Sequence, residues 1–377
     1  MIYLDHNATA PLCEAAFQSL ESSLTSFHGN PASLHRAGQR ADRILEDARN
    51  VVAESLDLDP SRLLFTSGAT EAANAIAHHL GRAHPERPVA AVSTEHVCVL
   101  DAIRHHVPRG TNLLSVDPSG RPDPFSNAPS LPPPSALFAM LANNETGMLQ
   151  DLNRLVSQPE WAAIPLAVDA TQAIGRIPLS FPQTVRDEGF IFGSCHKMGG
   201  PIGIGFLHLP KNIRWIALLQ GGGQEDGRRS GTQNAPLAAA FAAAMKDRVA
   251  RFSEISARSA FRASIANALQ DAHRGVRVLG EPSSCLWNTI AFLAPELPDC
   301  RHRWTVRLDK AGFAVSSGSA CSAGAGKASH VLRALQLTES EADRVLRISW
   351  GWETPQEHLE QFVETFRSLC STVPRGT

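Results

Sequence analysis

Four short segments of the chain carry side chains that could do chemistry together. Lys197 closes the run Gly193-Ser194-Cys195-His196-Lys197, between the apolar stretch Phe190-Ile191-Phe192 and the glycine-rich Gly199-Gly200-Pro201. A lysine desolvated at a strand end can lose its proton and form an imine with a carbonyl compound. A surface lysine after a strand is the plainer alternative. Asp169 ends another apolar stretch, in Val168-Asp169-Ala170-Thr171-Gln172. A buried carboxylate needs a cation or donor, for which a protonated pyridine nitrogen would serve, although in isolation Asp169 reads equally well as a helix cap. Thr66-Ser67-Gly68-Ala69-Thr70-Glu71 joins a strand to a helix. Its glycine permits the turn, and the N–H groups opening the helix can receive an anion; taken alone, an ordinary Ser/Thr cap explains it better. Ser316 to Gly326 is a run of small residues around one thiol, Cys321. Such a loop can leave the thiol exposed and reactive, or it can be an inert turn.

The elements that must position these residues follow from hydrophobic spacing. Ala37, Ala41, Ile44, Leu45, Ala48, Val51 and Val52 mark a helix from about residue 36, and a second helix runs from Ala72 to Leu80. Short apolar runs at Leu63–Phe65, Val89–Val92, Leu137–Leu141, Leu166–Val168, Phe190–Phe192 and Ile204–Leu207 predict strands. Strands polar only at their ends suggest a largely parallel sheet buried on both faces. In such sheets ligands bind at the carboxyl ends of the strands, where the polar clusters fall. Residues 117–135 carry seven prolines and read as an irregular surface excursion. Pro236 to Met245 reads as a buried helix, too short to span a bilayer. A long helix over about 246–272 leads into a second unit, with strands near 276–278, 289–292, 313–315 and 346–348 and helices over 328–336 and 355–370.

Composition narrows the class. The 377 residues are 43% hydrophobic and 19% charged, which supports a buried core and argues against disorder. A net charge of -2 offers no footprint for nucleic acid. Seven cysteines, an odd number with no C-x-x-C spacing, argue against a disulfide framework or a structural zinc site and fit reduced thiols in a cytoplasm. The start, Met1 to His6, has no signal-peptide pattern. Gly200, Gly203 and Gly205 do not spell a dinucleotide fingerprint. His78-His79 and His105-His106 lack metal spacing, and Cys98, Cys195, Cys285 and Cys370 read as packing residues.

Together with Tyr3-Leu4-Asp5-His6-Asn7-Ala8-Thr9, Gly29-Asn30-Pro31-Ala32-Ser33, Glu95-His96, Asn143-Asn144-Glu145-Thr146-Gly147, Arg229-Ser230-Gly231-Thr232 and Arg347-Ile348-Ser349, these segments resemble the cysteine desulfurases of the class V aminotransferase group. The long run after Ser-Ser-Gly-Ser-Ala-Cys is similar to the NifS/IscS branch. The resemblance implies an α/β fold of the pyridoxal-phosphate-dependent fold type I. Residues 15–250 would form a large cofactor domain with a mainly parallel mixed sheet flanked by helices. Residues 251–377 would form a smaller α/β domain carrying the cysteine loop, with 1–14 packing on it.

The same resemblance implies roles. Lys197 would hold pyridoxal 5'-phosphate as a Schiff base and take the α-proton of L-cysteine. His96 would stack on the ring and handle a proton, Asp169 would pair with the ring nitrogen, and Gln172 would bond the phenolic oxygen. Ala69, Thr70, Ser194 and His196 would hold the phosphate, with Thr232 from the partner of a homodimer. Asn30, Asn144 and Arg347 would bind substrate, and Asn144 would also touch the cofactor. Cys321 would be the nucleophile that becomes a persulfide, passed to a sulfur acceptor in iron–sulfur assembly or in tRNA or cofactor thiolation. Other readings remain: a selenocysteine lyase or aminotransferase of the same fold, or a non-catalytic sulfur-relay scaffold.

Three positions depart from the usual pattern. Ile202 stands where relatives carry lysine, Trp352 where many carry arginine, and Lys327-Ala328 where many carry Glu-Pro. Trp352 is expected to reshape the substrate mouth, and neither it nor Ile202 to touch the lysine-bound cofactor. The end at Thr377 lacks the extension by which scaffold-dedicated relatives dock their partner.

Overall fold

The computed structural model describes residues 1–26, 28–123, 132–297, 300–317 and 329–373. Its strands are β1 (Ile2–Tyr3), β2 (Leu63–Thr66), β3 (Val89–Val92), β4 (Thr111–Leu114), β5 (Leu137–Met140), β6 (Leu166–Asp169), β7 (Phe190–Ser194), β8 (Gly205–His208), β9 (Arg277–Val278), β10 (Thr289–Leu293), β11 (Phe313–Ala314) and β12 (Val345–Ser349). Seven of them form one sheet in the order β2-β8-β7-β6-β5-β3-β4. β8 runs antiparallel to both its neighbours, and the remaining six share one direction.

Burial on both faces explains why these strands are short apolar runs. Leu63, Phe65, Ala90, Val92, Leu137, Ala139 and Val168 pack on one face; Leu64, Val89, Ala91, Phe138, Ala167 and Phe192 pack on the other. That alternation is the period-2 geometry of a strand with a core on each side. The first face is covered by α1 (Glu14–Ser26), α2 (Arg36–Ser55) and the helix Ala235–Ala250; the second by α3 (Ala69–Ala83) and α4 (Val97–His106). The chain runs from β3 outward to β4, then returns to the other side of β3 with β5, β6 and β7. The crevice between the carboxyl ends of β3 and β5 is therefore a switch point, the expected place for a ligand.

A second apolar cluster gathers Leu4, Ile265, Leu269, Trp287, Ile290, Trp304, Ile348 and Phe362 around the antiparallel sheet β12-β10-β9. The N-terminal segment joins it: β1 pairs with β11, and Asp5 bridges to Ser349. The expected single helix over 246–272 is broken. One helix ends at Ala250, a 3-10 turn follows at Phe252–Glu254, and a new helix runs Ile255–Gln270. The break has a physical reason, since the first helix packs on the large sheet and the second on the small one. Part of the proline-rich 117–135 stretch lies outside the described residues. No helix among the described residues is long and apolar enough to cross a membrane.

Candidate active site

Five strand ends converge on one cavity of about 340 Å³. The turn after β2 brings Ala69 and Thr70, and the turn after β3 brings His96. The turns after β5 and β6 bring Asn144 and Gln172, with Asp169 at the end of β6 itself. Ser194 at the end of β7 and the 3-10 turn that follows bring His196 and Lys197. Nine of the expected site residues therefore share its wall. Ala8, Cys98, Met140 and Thr171 are also part of it, none of them singled out as a site residue by sequence reasoning.

The wall has a polarity that follows from local structure. α3 opens at Gly68, which has no side chain to cap the helix, so its first turn faces the cavity through Ala69 and Thr70. His96 is the N-cap of α4, its Nδ1 accepting from the Cys98 N–H at 3.2 Å. That bond leaves the proton of the neutral ring on Nε2. Asp169 is buried; one carboxylate oxygen accepts from the Thr171 N–H at 2.8 Å. The thiol of Cys98 is pushed up to about 12 by burial and by Asp169. Cys98 is thus an inert part of the wall that also packs, as its sequence suggested, against the apolar cluster behind it.

The surroundings make the Lys197 amine easier to deprotonate. Burial lowers its pKa; Asp169 opposes this, while the guanidinium groups of Arg176 and Arg347 reinforce it. Burial and Lys197 likewise lower His96. His196, whose Nδ1 lies 3.0 Å from Thr9 Oγ1, is lowered to about 4 by burial and Lys197. Behind the wall, Glu95 is fully buried and takes the Met140 N–H. Burial and Asp169 hold its carboxyl well above the usual carboxylate range.

Other expected site residues lie apart from the cavity wall. Arg347 is buried beneath Asn144, donating to its carbonyl at 2.7 Å and pairing with Asp5 at 2.5 Å. Its Nε has no partner among the described residues. Asn30 is exposed, its Oδ1 accepting from the Ala32 N–H at 3.0 Å to close a turn. Thr232 is also exposed. Cys321 and Lys327 lie outside the described residues. The flanks of their segment do reach the site: Ser316 exchanges backbone bonds with Arg347, and His330 Nε2 lies 2.8 Å from the Glu95 carbonyl.

Trp352 corrects an expectation. It does not shape the cavity mouth; it is 5% exposed, donates from Nε1 to the Gly175 carbonyl at 2.9 Å, and lies against Trp287 with Arg258 over its ring. A large indole gains more from the second core than from a wet cavity rim. Ile202, by contrast, lines the cavity and is 75% exposed. Cys195, Cys285 and Cys370 are buried.

Sequence reasoning assigned no role to two buried residues behind the wall. Asn7 donates from Nδ2 to the Asn144 carbonyl and to Thr289 Oγ1, both at 3.1 Å, and its own carbonyl accepts from Gln172 Nε2 at 3.0 Å. Arg176 donates to Asn7 Oδ1 at 2.8 Å. Asn7 stood inside a recognisable motif, whereas nothing local marks Arg176 as buried.

The arrangement agrees with comparisons to known proteins. The profile of the family described as aminotransferase class-V matches residues 2–362. The chain is 37% identical to a cysteine desulfurase of Frankia sp. (strain EuIK1), over 99% of this chain and 94% of that one. It is 33% identical to cysteine desulfurase NifS of Azotobacter vinelandii, over 96% and 90% of the two chains. A solved NifS-like protein from Rickettsia africae superposes with a TM-score of 0.85 at 27% identity, covering 99% of this chain and all of that one. With a cavity of this make-up at the switch point of a sheet of this topology, the chain belongs to the class V aminotransferase family and, within it, to the cysteine desulfurases.

Proposed function

We propose that the protein takes sulfur from L-cysteine, releases L-alanine, and holds the sulfur as a persulfide on Cys321 for an acceptor protein. The observation that carries this reading is the meeting of Lys197, Asp169 and His96 on one cavity that the uncapped first turn of α3 also lines.

The residues present fit pyridoxal 5'-phosphate. Helix N–H groups at Ala69 and Thr70, the hydroxyls of Thr70 and Ser194, and His196 suit a phosphate. Asp169 has one oxygen on the Thr171 N–H and the other left for a ring N–H. His96 would lie on the ring face. Thr232, exposed in its own chain, would complete the phosphate site of a second copy in a homodimer. When bound, the cofactor supplies an electron sink at the substrate α-carbon.

The chain's own groups do the rest. Lys197 Nζ, its pKa lowered by burial, accepts the α-proton and returns it. Asn144 on the wall and Arg347 beneath it would orient the substrate carboxylate, Arg347 exchanging its bonds to the Asn144 carbonyl and Asp5 for the substrate. His96 Nε2 handles the proton of the substrate thiol. The Cys321 thiolate forms an S–S bond to the substrate sulfur as the C–S bond breaks; the electron pair stays on carbon, which takes a proton to become the methyl group of alanine. Both flanks of the Cys321 segment lie beside the site, in keeping with that role. A smaller unit beyond about residue 250 is supported by the second apolar cluster, which draws mostly on residues past that point together with Leu4, although the first cluster also takes in Cys13, Ala291, Val331 and Val345. Cys13, Cys98, Cys195, Cys285 and Cys370 are free, which suits a reducing cytoplasm.

Purified protein should absorb in the visible, and Lys197→Ala should abolish the band. Cys321→Ala should keep the band yet form no alanine or sulfide from cysteine. Unchanged turnover in that variant would refute the persulfide step.

A further inference from the structure

Arg176 is a buried cation with an unusual set of partners. It is 3% exposed, and its terminal nitrogens donate four hydrogen bonds, all to neutral oxygens. Nη1 takes Asn7 Oδ1 at 2.8 Å and Gln172 Oε1. Nη2 takes the His6 carbonyl at 3.3 Å and the Lys197 carbonyl at 2.9 Å. No carboxylate pairs with it among the described residues. An uncompensated charge in a dry place is costly, so its surroundings have to be built around it.

Two consequences follow from the bonds themselves. An amide has one oxygen and one NH₂ group. With Gln172 Oε1 accepting from Arg176 and one Nε2 hydrogen on the Asn7 carbonyl, the amide is held in one orientation and its second N–H is left for the cavity. The ligand atom that this N–H meets is an acceptor. The guanidinium is also fastened to the backbone of Lys197, so its positive charge stands behind the amine whichever way the lysine side chain turns.

We propose that Arg176 is a positioning residue of the site, locking the Gln172 amide as a donor toward the cavity and keeping positive charge fixed behind Lys197. The proposal rests on the reading of the cavity as the pyridoxal phosphate site. Asn7 is its accessory, since it holds the opposite side of the same amide.

The test uses full-length protein with bound pyridoxal phosphate and follows its visible absorption against pH, together with cofactor dissociation into buffer. Arg176→Met removes charge and donors. The pH midpoint of the lysine-bound band should rise by about one unit, as expected for loss of a nearby like charge, and dissociation should quicken about tenfold. Arg176→Lys keeps the charge and loses the fork. Its midpoint should stay near the parent's while dissociation still quickens about threefold or more. If Arg176→Met does not fold, Asn7→Ala replaces it: the charge remains, so the midpoint should hold while dissociation quickens. Variants that retain the parent's midpoint and dissociation rate would overturn the proposal. A parent protein with no visible band would instead overturn the reading of the cavity.

Discussion

Acid sensitivity should have an identifiable source in His208. It lies on β8, opposite Leu63 of β2 and Ile191 of β7. It is fully buried, and neither ring nitrogen has a hydrogen-bond partner among the described residues. Burial, helped by Arg62 and opposed by Asp59 and Asp187, pushes its pKa down to about 3. A histidine whose folded pKa lies below its unfolded value of about 6.5 binds its proton better in the unfolded chain. Stability is therefore unaffected above that unfolded pKa and is lost as pH falls from there toward the folded value. Each pH unit in that window removes about 1.4 kcal/mol, so lowering pH from about 7 to about 5 should cost about 2 kcal/mol through this one ring. His208→Leu removes the titrating group and keeps an apolar side chain in the sheet. Urea unfolding followed by tryptophan fluorescence, at both pH values and for both proteins, isolates the term. His6 and His79, each lowered to about 4, contribute equally to parent and variant and cancel in the difference. If parent and variant lose the same stability to within about 0.5 kcal/mol, buried neutral His208 is not a source of acid lability and the reasoning fails.

Three further outcomes are expected. Gly147 has φ 75°, and an added Cβ would lie 2.7 Å from Thr289 Cβ. Gly147→Ala should therefore destabilise by about 2 kcal/mol in the same urea assay and weaken cysteine binding by shifting the turn that carries Asn144. Arg347→Met should lower kcat/KM for cysteine by about 100-fold or more, with the loss mainly in KM, measured by alanine formation; Arg347→Lys should recover little because the fork is gone. Cys98, with its thiol pushed up to about 12, should remain unlabelled when folded protein is treated with iodoacetamide near pH 8, whereas Cys321 should be alkylated; mass spectrometry of the peptides decides.

Local signals were enough to find six of the seven strands of the large sheet, all but the half-exposed β4, and the strand ends that line the cavity. A strand buried on both faces must be a short continuous apolar run, and it must end where polar residues begin, so Phe190–Phe192 and Lys197 announced each other. The same locality explains why the Thr66–Glu71 turn and Asp169 stood out, each at or just after a strand end, whereas Ala69, His96 and Gln172 received their roles from the resemblance to cysteine desulfurases. The break after Ala250 was not legible, because two successive helices there share one helical pattern but serve different cores.

The chain by itself determined which residue types stand at the strand ends, and through them the reaction class. Only the tertiary structure decided what stands behind them. Trp352 turned inward because a second core, assembled from residues far apart in the chain, offered its indole an apolar bed and a carbonyl. Arg347 met Asp5, 342 positions away, because β12 pairs with the N-terminal segment. Arg176 became a buried cation because carbonyls from His6 and Lys197 and amides from Asn7 and Gln172 converge on it. Hydrogen-bond partners brought together by folding from distant stretches leave no mark in local spacing, so the charge that backs Lys197 could be located only once the chain had closed around it.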